Sequence, residues 1–174
     1  MRTFVTVILI VGFWASSARA VSEEGLLEAV DFIEEWTSYE YSGETLPEIK
    51  YLDHDTLQVF AHGSFAYAQA ERKGRKLEKA NAYYDPSRKT IYVSEAIDLE
   101  TRQGRPTLIH EMVHFLQDIT GYTASLDGHI ACTESIAYEV QMLYEAMHDY
   151  SEDKVALSYS LSNFAAMECM GNQF

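Results

Sequence analysis

The sequence contains few of the residues that separate domains. Three of its 174 residues are proline and nine are glycine, and they form no linker-like tract, repeat or low-complexity segment. Flexible and extended linkers depend on such tracts. We therefore predict a single domain in residues 21–174, which is long enough to bury a hydrophobic core of its own.

Basic residues are also scarce. Lys and Arg total 13 against 27 Asp and Glu, which gives a formal net charge of −14 at pH 7. Nucleic acids and anionic membranes attract basic proteins, so neither is expected as a partner. We interpret the acidic surface as a source of solubility outside the cell rather than as a means of steering a cationic substrate.

The chain lacks a hydrophobic run of the roughly 20 residues that are needed to cross a bilayer. An apolar stretch of 11 residues, Phe4 to Trp14, follows Arg2 and precedes Ala18-Arg19-Ala20. A basic start, a short apolar stretch and a small-x-small site are the parts of a signal peptide. We predict a signal peptide over residues 1–20, cleavage near Ala20, a secreted or periplasmic protein, and no permanent membrane anchor. Cleavage removes two arginines and no acidic residue, so the net charge becomes −16.

Only two cysteines are present, Cys132 and Cys169. An even count in an oxidising compartment favours a disulfide, whereas two buried free thiols are the alternative. A disulfide would close a loop of 37 positions. By chain-entropy reasoning it would stabilise the fold by roughly 3–4 kcal/mol.

The clearest chemical motif is His110-Glu111-Met112-Val113-His114 in a segment with helical periodicity. Histidines four residues apart lie one turn apart on one helix face, so both imidazoles can reach one metal ion. Glu111 lies about 100° further round the helix, beside the ion, where it can hold a water instead of ligating. The apolar flanking residues predict that this polar stripe is buried, and buried polar groups need partners. The pattern is typical of a zinc peptidase.

A third ligand is expected on the next predicted helix. Three protein ligands and one open position make a catalytic zinc site, whereas four closed ligands make a structural one. Glu134 is our candidate, because Ala131 and Ala137 on either side of it let two helices approach closely. Glu139 is the alternative, but it lies about 140° round the helix from Glu134, so both cannot face one metal.

These residues resemble the gluzincin metallopeptidases, in which two histidines of the active-site helix and a glutamate of the next helix bind zinc. The segments that carry the resemblance are His110-Glu-Met-Val-His-Phe-Leu-Gln117 and Glu134-Ser-Ile-Ala-Tyr-Glu-Val-Gln141, and they also resemble small exported bacterial members of this type without an assigned substrate. The resemblance implies one zinc per chain, held by His110, His114 and Glu134, with Glu111 as the catalytic glutamate. It also implies a zincin-like fold.

The expected fold class is α+β: mostly helical, with a small antiparallel sheet next to the active-site helix. Asp85 to Lys89 is expected to be the turn of a hairpin, and the edge of its second strand could bind an extended peptide by strand addition or be an ordinary edge. Asp55 is expected to cap the second helix. The predicted helices cover 23–40, 55–72, 106–120, 129–148 and 152–167, and the predicted strands cover 48–52, 80–84 and 90–94.

The function expected from these residues is zinc-dependent hydrolysis of a peptide bond in a peptide or protein substrate. Glu111 would take a proton from water and pass it to the leaving amine. Tyr138 or His129 could donate to the developing oxyanion. The alternatives are an exported metal-binding or scaffold protein without turnover, and a zinc amidase that acts on the cell wall. The sequence leaves substrate specificity and oligomeric state open.

Overall fold

The computed structural model describes residues 21–63, 73, 79–125 and 130–171. The predicted signal peptide and His129 lie outside the described residues. So does most of the segment 63–72, into which the second helix was expected to continue. Among the described helices, none is both long and apolar enough to cross a membrane.

Helices make up most of the described chain. A single helical turn, Tyr122–Ser125, follows α3. The other helices are α1 (Glu23–Trp36), α2 (His54–His62), α3 (Arg105–Ile119), α4 (Ile130–Met147) and α5 (Glu152–Gly171), and the strands are β1 (Glu48–Leu52), β2 (Ala82–Asp85) and β3 (Thr90–Ser94). The α+β class is confirmed at this level.

The three strands form one mixed sheet with the order β1-β3-β2. β2 and β3 are antiparallel, from Ala82 opposite Val93 to Asp85 opposite Thr90, as the hairpin prediction requires. β1 pairs with β3 in parallel, so the expectation of a wholly antiparallel sheet is wrong. A crossover through α2 separates β1 from the hairpin, and such a connection permits a parallel pairing.

The position of β3 also differs from expectation. All five of its residues are buried, and it has a neighbour on both sides. It is therefore the central strand, and the expected exposed edge does not exist there. The outer strands of the described sheet are β1 and β2, and β2 packs against α3.

The core is arranged around α3, which supplies fully buried side chains on most of its surface. They pack against α1, the sheet and α4 in one continuous cluster. Each large aliphatic or aromatic side chain stabilises the fold by about 1.5–3 kcal/mol on burial. The buried residues of α3 are Leu108, Ile109, Met112, Val113, Phe115 and Leu116. The helix that carries the His-Glu-His motif is thus held from several sides.

The ends of α3 follow from two glycines and one proline. A Cβ atom at Gly104 would lie 2.1 Å from the carbonyl oxygen of Asp98, so only glycine fits where the chain enters the helix. Pro106 lies in the first turn, where its missing N–H costs nothing. Gly121 follows the last turn with φ of 74°, a conformation that favours glycine.

Two helix details correct the sequence interpretation. α2 is capped by Asp53 and not by Asp55, because the Asp53 carboxylate accepts from the backbone N–H of Thr56 at 3.0 Å. Helical periodicity predicts that Leu27 and Trp36 lie on the apolar face of α1, but they are 37% and 43% exposed. The face that packs on the core is made of Leu26, Ala29, Val30 and Ile33.

α4 and α5 form a helical hairpin with a covalent link at its open end. Cys132 in the first turn of α4 is joined to Cys169 in the last turn of α5, with Cα atoms 4.8 Å apart. Near the closed end, the fully buried carboxylate of Glu145 accepts from Ser158 Oγ at 2.7 Å and from Gln141 Nε2 at 3.0 Å. Both ends of the hairpin are therefore tied across the two helices.

The disulfide yields a direct test. Intact protein prepared from an oxidising compartment should be about two mass units lighter than the dithiol, because forming the bond removes two hydrogens. Non-reducing mass spectrometry should find a Cys132 peptide linked to a Cys169 peptide. Recovery of both cysteines as alkylated thiols from such a preparation would refute the pairing.

Candidate metal centre

The two histidines of α3 lie side by side, one turn apart. Their Nε2 atoms are 3.2 Å from each other and their ring centroids 4.9 Å. His110 is buried, at 8% exposure, and the His114 side chain is 15% exposed. The rings project from the core helix towards α4, which packs along the same side of α3.

Glu134 approaches both histidines from α4. Its Oε2 lies 3.3 Å from His110 Nε2, and its Oε1 lies 3.3 Å from His114 Nε2. The close approach of the helices is aided by Ala137, which is fully buried three residues further along α4. The three side chains offer ligand atoms that all lie within 4.8 Å of one another, so they could hold a metal ion.

The spacing of these atoms can be compared with a zinc site. Ligand atoms at about 2.0–2.1 Å from zinc in a tetrahedral arrangement are separated by roughly 3.3–3.4 Å. The measured distances of 3.2, 3.3 and 3.3 Å are close to that value. Two imidazoles and one carboxylate are also a donor set that zinc accepts in proteins. The residues present therefore fit a zinc ion.

Glu139, the alternative third ligand, is exposed on α4. It does not belong to the group of residues whose ligand atoms converge. The geometry therefore favours Glu134 over Glu139 as the candidate third ligand. Glu134 and Glu139 lie about 140° apart around α4, so only one of them can face the histidines. This separation could already be read from the sequence.

The electrostatics of the group favour a positive charge beside Glu134. Burial lowers the pKa of His114, but the hydrogen bond to Glu134 and its charge outweigh that effect and raise it to about 9. Burial raises the pKa of Glu134, and the hydrogen bonds from His110 and His114 outweigh this too, holding it well below its usual range. Glu134 therefore stays ionised at neutral pH and stabilises a neighbouring cation, whether a proton or a metal ion.

Glu111 lies next to this group on α3 and is buried, at 6% exposure. Burial raises the pKa of its carboxyl, against the opposing charges of His110 and His114 and a hydrogen bond from the backbone of Tyr84. Tyr84 belongs to β2, so Glu111 faces an outer strand of the described sheet. A carboxylate with a raised pKa, next to the candidate ligands but not one of them, is suited to proton transfer.

A buried polar network that the sequence interpretation did not include supports His114. The His114 Nδ1 atom lies 3.0 Å from Gln117 Oε1. Gln117 is fully buried, and its Nε2 donates to the Thr133 carbonyl at 3.1 Å and to the Tyr39 hydroxyl at 3.3 Å. The three-residue spacing from His114 to Gln117 could have indicated this contact, but nothing local points to Tyr39.

His110 is supported differently. Its Nδ1 atom is buried and has no hydrogen-bond partner within the described part of the chain. Instead its ring packs against the ring of Tyr138, with centroids 4.5 Å apart. Tyr138, one of the two candidate oxyanion donors, is thus beside the metal group, whereas His129, the other, lies outside the described residues.

One open cavity lies away from these residues. It has a volume of about 610 Å³ and lies between the start of α3 and the end of α4. Its arginines already have partners: Arg105 pairs with Glu28 at 2.6 Å, and Arg102 donates to the carbonyl of His148 at 2.8 Å. The His-His-Glu group, and not this cavity, is therefore the candidate functional site.

Comparison with protein-family models, with curated proteins and with solved structures gives no match to this chain.

Proposed function

We propose that this chain is an exported zinc-dependent metallopeptidase of the gluzincin type, with a zincin-like fold. The observation that carries the proposal is the convergence of His110, His114 and Glu134 beside the buried carboxylate of Glu111. Three ligands from two helices leave a position open for water or substrate, as catalytic zinc sites require. The same His-Glu-x-x-His and glutamate pattern underlies the resemblance to gluzincins.

The metal and the protein have separate tasks in this proposal. A bound zinc supplies Lewis acidity, which lowers the pKa of water towards about 7 and polarises a carbonyl group. Glu111 takes one proton from the attacking water as a new C–O bond forms at the scissile carbon. It then delivers that proton to the amine nitrogen as the C–N bond breaks, so that peptide and water give one acid and one amine.

The chain itself supports this division of roles. A site that only stores metal has no use for a further buried carboxylate next to its ligands, and burying a carboxylate is costly. Glu111 is such a group: it is buried, and burial raises its pKa against the hydrogen bond from the backbone of Tyr84. This argues for turnover over the alternative of an exported binding or scaffold protein.

The substrate proposed is a peptide or protein. β2 is an outer strand of the described sheet and lies beside Glu111, so an extended peptide could pair with it by strand addition. Export is supported by the predicted signal peptide and by the disulfide, since disulfides persist in oxidising compartments.

The proposal is tested on the purified chain that begins near Val21. Elemental analysis should give about one zinc per chain, and a broad peptide library should be cleaved in a manner that a chelator abolishes and zinc restores. Cleavage of cell-wall fragments but of no peptide would instead identify an amidase. Bound zinc without chelator-sensitive cleavage of any such substrate would favour the binding protein, and absence of zinc would refute the site.

A further inference from the structure

We propose that Gln117 is a positioning residue of the metal centre: it fixes which nitrogen of His114 carries hydrogen and links the two ligand-bearing helices. The inference rests on the metal site of the proposed function. It does not require that the substrate be a peptide.

The contact with Thr133 determines the orientation of the Gln117 amide. A backbone carbonyl has only lone pairs to offer, so the group facing the Thr133 oxygen at 3.1 Å must be a donor. The Gln117 amide therefore turns its NH₂ towards Thr133. Its oxygen, at the other side of the amide, faces His114 Nδ1 at 3.0 Å.

The oriented amide in turn determines the tautomer of His114. The amide oxygen only accepts, so Nδ1 of His114 must carry a hydrogen and donate it. In the neutral ring the lone pair is then on Nε2, the atom that lies 3.3 Å from Glu134 Oε1. The Thr133 carbonyl thus orients the Gln117 amide, and the amide in turn holds the hydrogen of His114 on Nδ1. His114 therefore presents Nε2, the nitrogen without a hydrogen, to His110 and Glu134. Partners of this kind orient metal-binding histidines and raise their basicity.

Gln117 also links the two helices, α3 and α4, that carry the candidate ligands. Gln117 is part of α3, and Thr133 is the residue before Glu134 on α4. One fully buried side chain therefore ties a ligand of α3 to the backbone next to the ligand of α4. The second amide hydrogen of Gln117 is donated to the hydroxyl of Tyr39, which follows α1 in the chain and lies 3.3 Å from Nε2. Each hydrogen of the NH₂ group has its own acceptor, so the amide cannot rotate without losing both contacts.

The test compares three variants by zinc affinity, measured by competition with a chromophoric chelator. Gln117→Met keeps the approximate shape of the side chain but offers Nδ1 only a weak thioether acceptor, and it should weaken zinc binding about 10–100-fold. Gln117→Glu restores an acceptor at the same place and should recover affinity to within about tenfold of wild type. Tyr39→Phe removes only the outer acceptor and should change affinity by less than about threefold.

A purely structural role for Gln117 predicts a different pattern. Gln117→Glu loses the donor to Thr133 and should lower the thermal midpoint as much as Gln117→Met does, so recovery of affinity without recovery of stability identifies positioning. The visible absorption of the cobalt-substituted protein should shift in Gln117→Met and stay unchanged in Tyr39→Phe.

Two results would overturn the inference. One is a folded Gln117→Met or Gln117→Glu protein whose zinc affinities do not follow this order. The other applies even when a variant does not fold: nitrogen-15 NMR of the zinc-loaded wild type should show His114 with its hydrogen on Nδ1, and a hydrogen on Nε2 refutes the inference. A wild-type protein that binds no zinc refutes the proposed function itself, which separates the two failures.

Discussion

Replacing Glu111 by glutamine is expected to leave the zinc content unchanged and to reduce hydrolysis by about 10²–10⁴-fold, the usual contribution of a positioned general base. Glutamine keeps the size of the side chain and its hydrogen-bonding reach, but it cannot accept a proton from water. Zinc should be retained because Glu111 is outside the group of converging ligand atoms. Steady-state cleavage of a substrate identified by library screening, together with elemental analysis, measures both effects.

The matched control for this variant is Glu139→Gln, the same change at an exposed position of the neighbouring helix. It should alter neither zinc content nor cleavage. Equal activity in wild type and Glu111→Gln would remove Glu111 from the mechanism. Loss of zinc in Glu111→Gln would make Glu111 a ligand and would require a different assignment of the site.

Replacing Glu134 by alanine is expected to cost the protein most of its zinc affinity. Structural zinc sites with four ligands bind with about 10–16 kcal/mol, so one ligand contributes about 2.5–4 kcal/mol if the sum is divided equally, or roughly 10²–10³-fold in affinity. Competition titration with a chelator measures the change. Loss of zinc also removes cleavage, since the proposed reaction needs the metal.

The companion variant Glu139→Ala should bind zinc as the wild type does, because Glu139 is exposed and lies outside the group of converging ligand atoms. Circular dichroism should show α4 intact in both variants, since alanine is the best helix former. If Glu139→Ala lost zinc and Glu134→Ala kept it, the third ligand would be Glu139 and the described convergence would have no functional meaning.

The sequence predicted best what is determined locally. The hairpin around Asp85 to Lys89 and the starts and ends of α3 and α4 came out within a few residues of prediction, because turn residues, caps and helical periodicity act over short distances. The candidate site followed for the same reason. His110, Glu111 and His114 share one helix, and the packing of α4 against that helix brings Glu134 to both histidines.

What could not be predicted depends on contacts between distant parts of the chain. The parallel pairing of β1 with β3 joins residues about 40 positions apart, and no local pattern records the direction of such a pairing. The contact of Gln117 with Tyr39 depends on where α1 ends relative to α3. The exposure of Leu27 and Trp36 likewise depends on how α1 lies on the core, and an apolar residue carries no signal for that.

The disulfide has a consequence for the third ligand that goes beyond loop entropy. Helix ends fray, and Glu134 lies only two residues beyond Cys132, in the part of α4 where fraying begins. Because Cys132 is bonded to Cys169 in the last turn of α5, unwinding of the first turn of α4 also requires the last turn of α5 to move. Local unfolding of the turn that carries Glu134 is therefore coupled to a second helix and becomes rarer. The disulfide thus keeps the Glu134 carboxylate opposite the histidines, although neither cysteine is a candidate ligand.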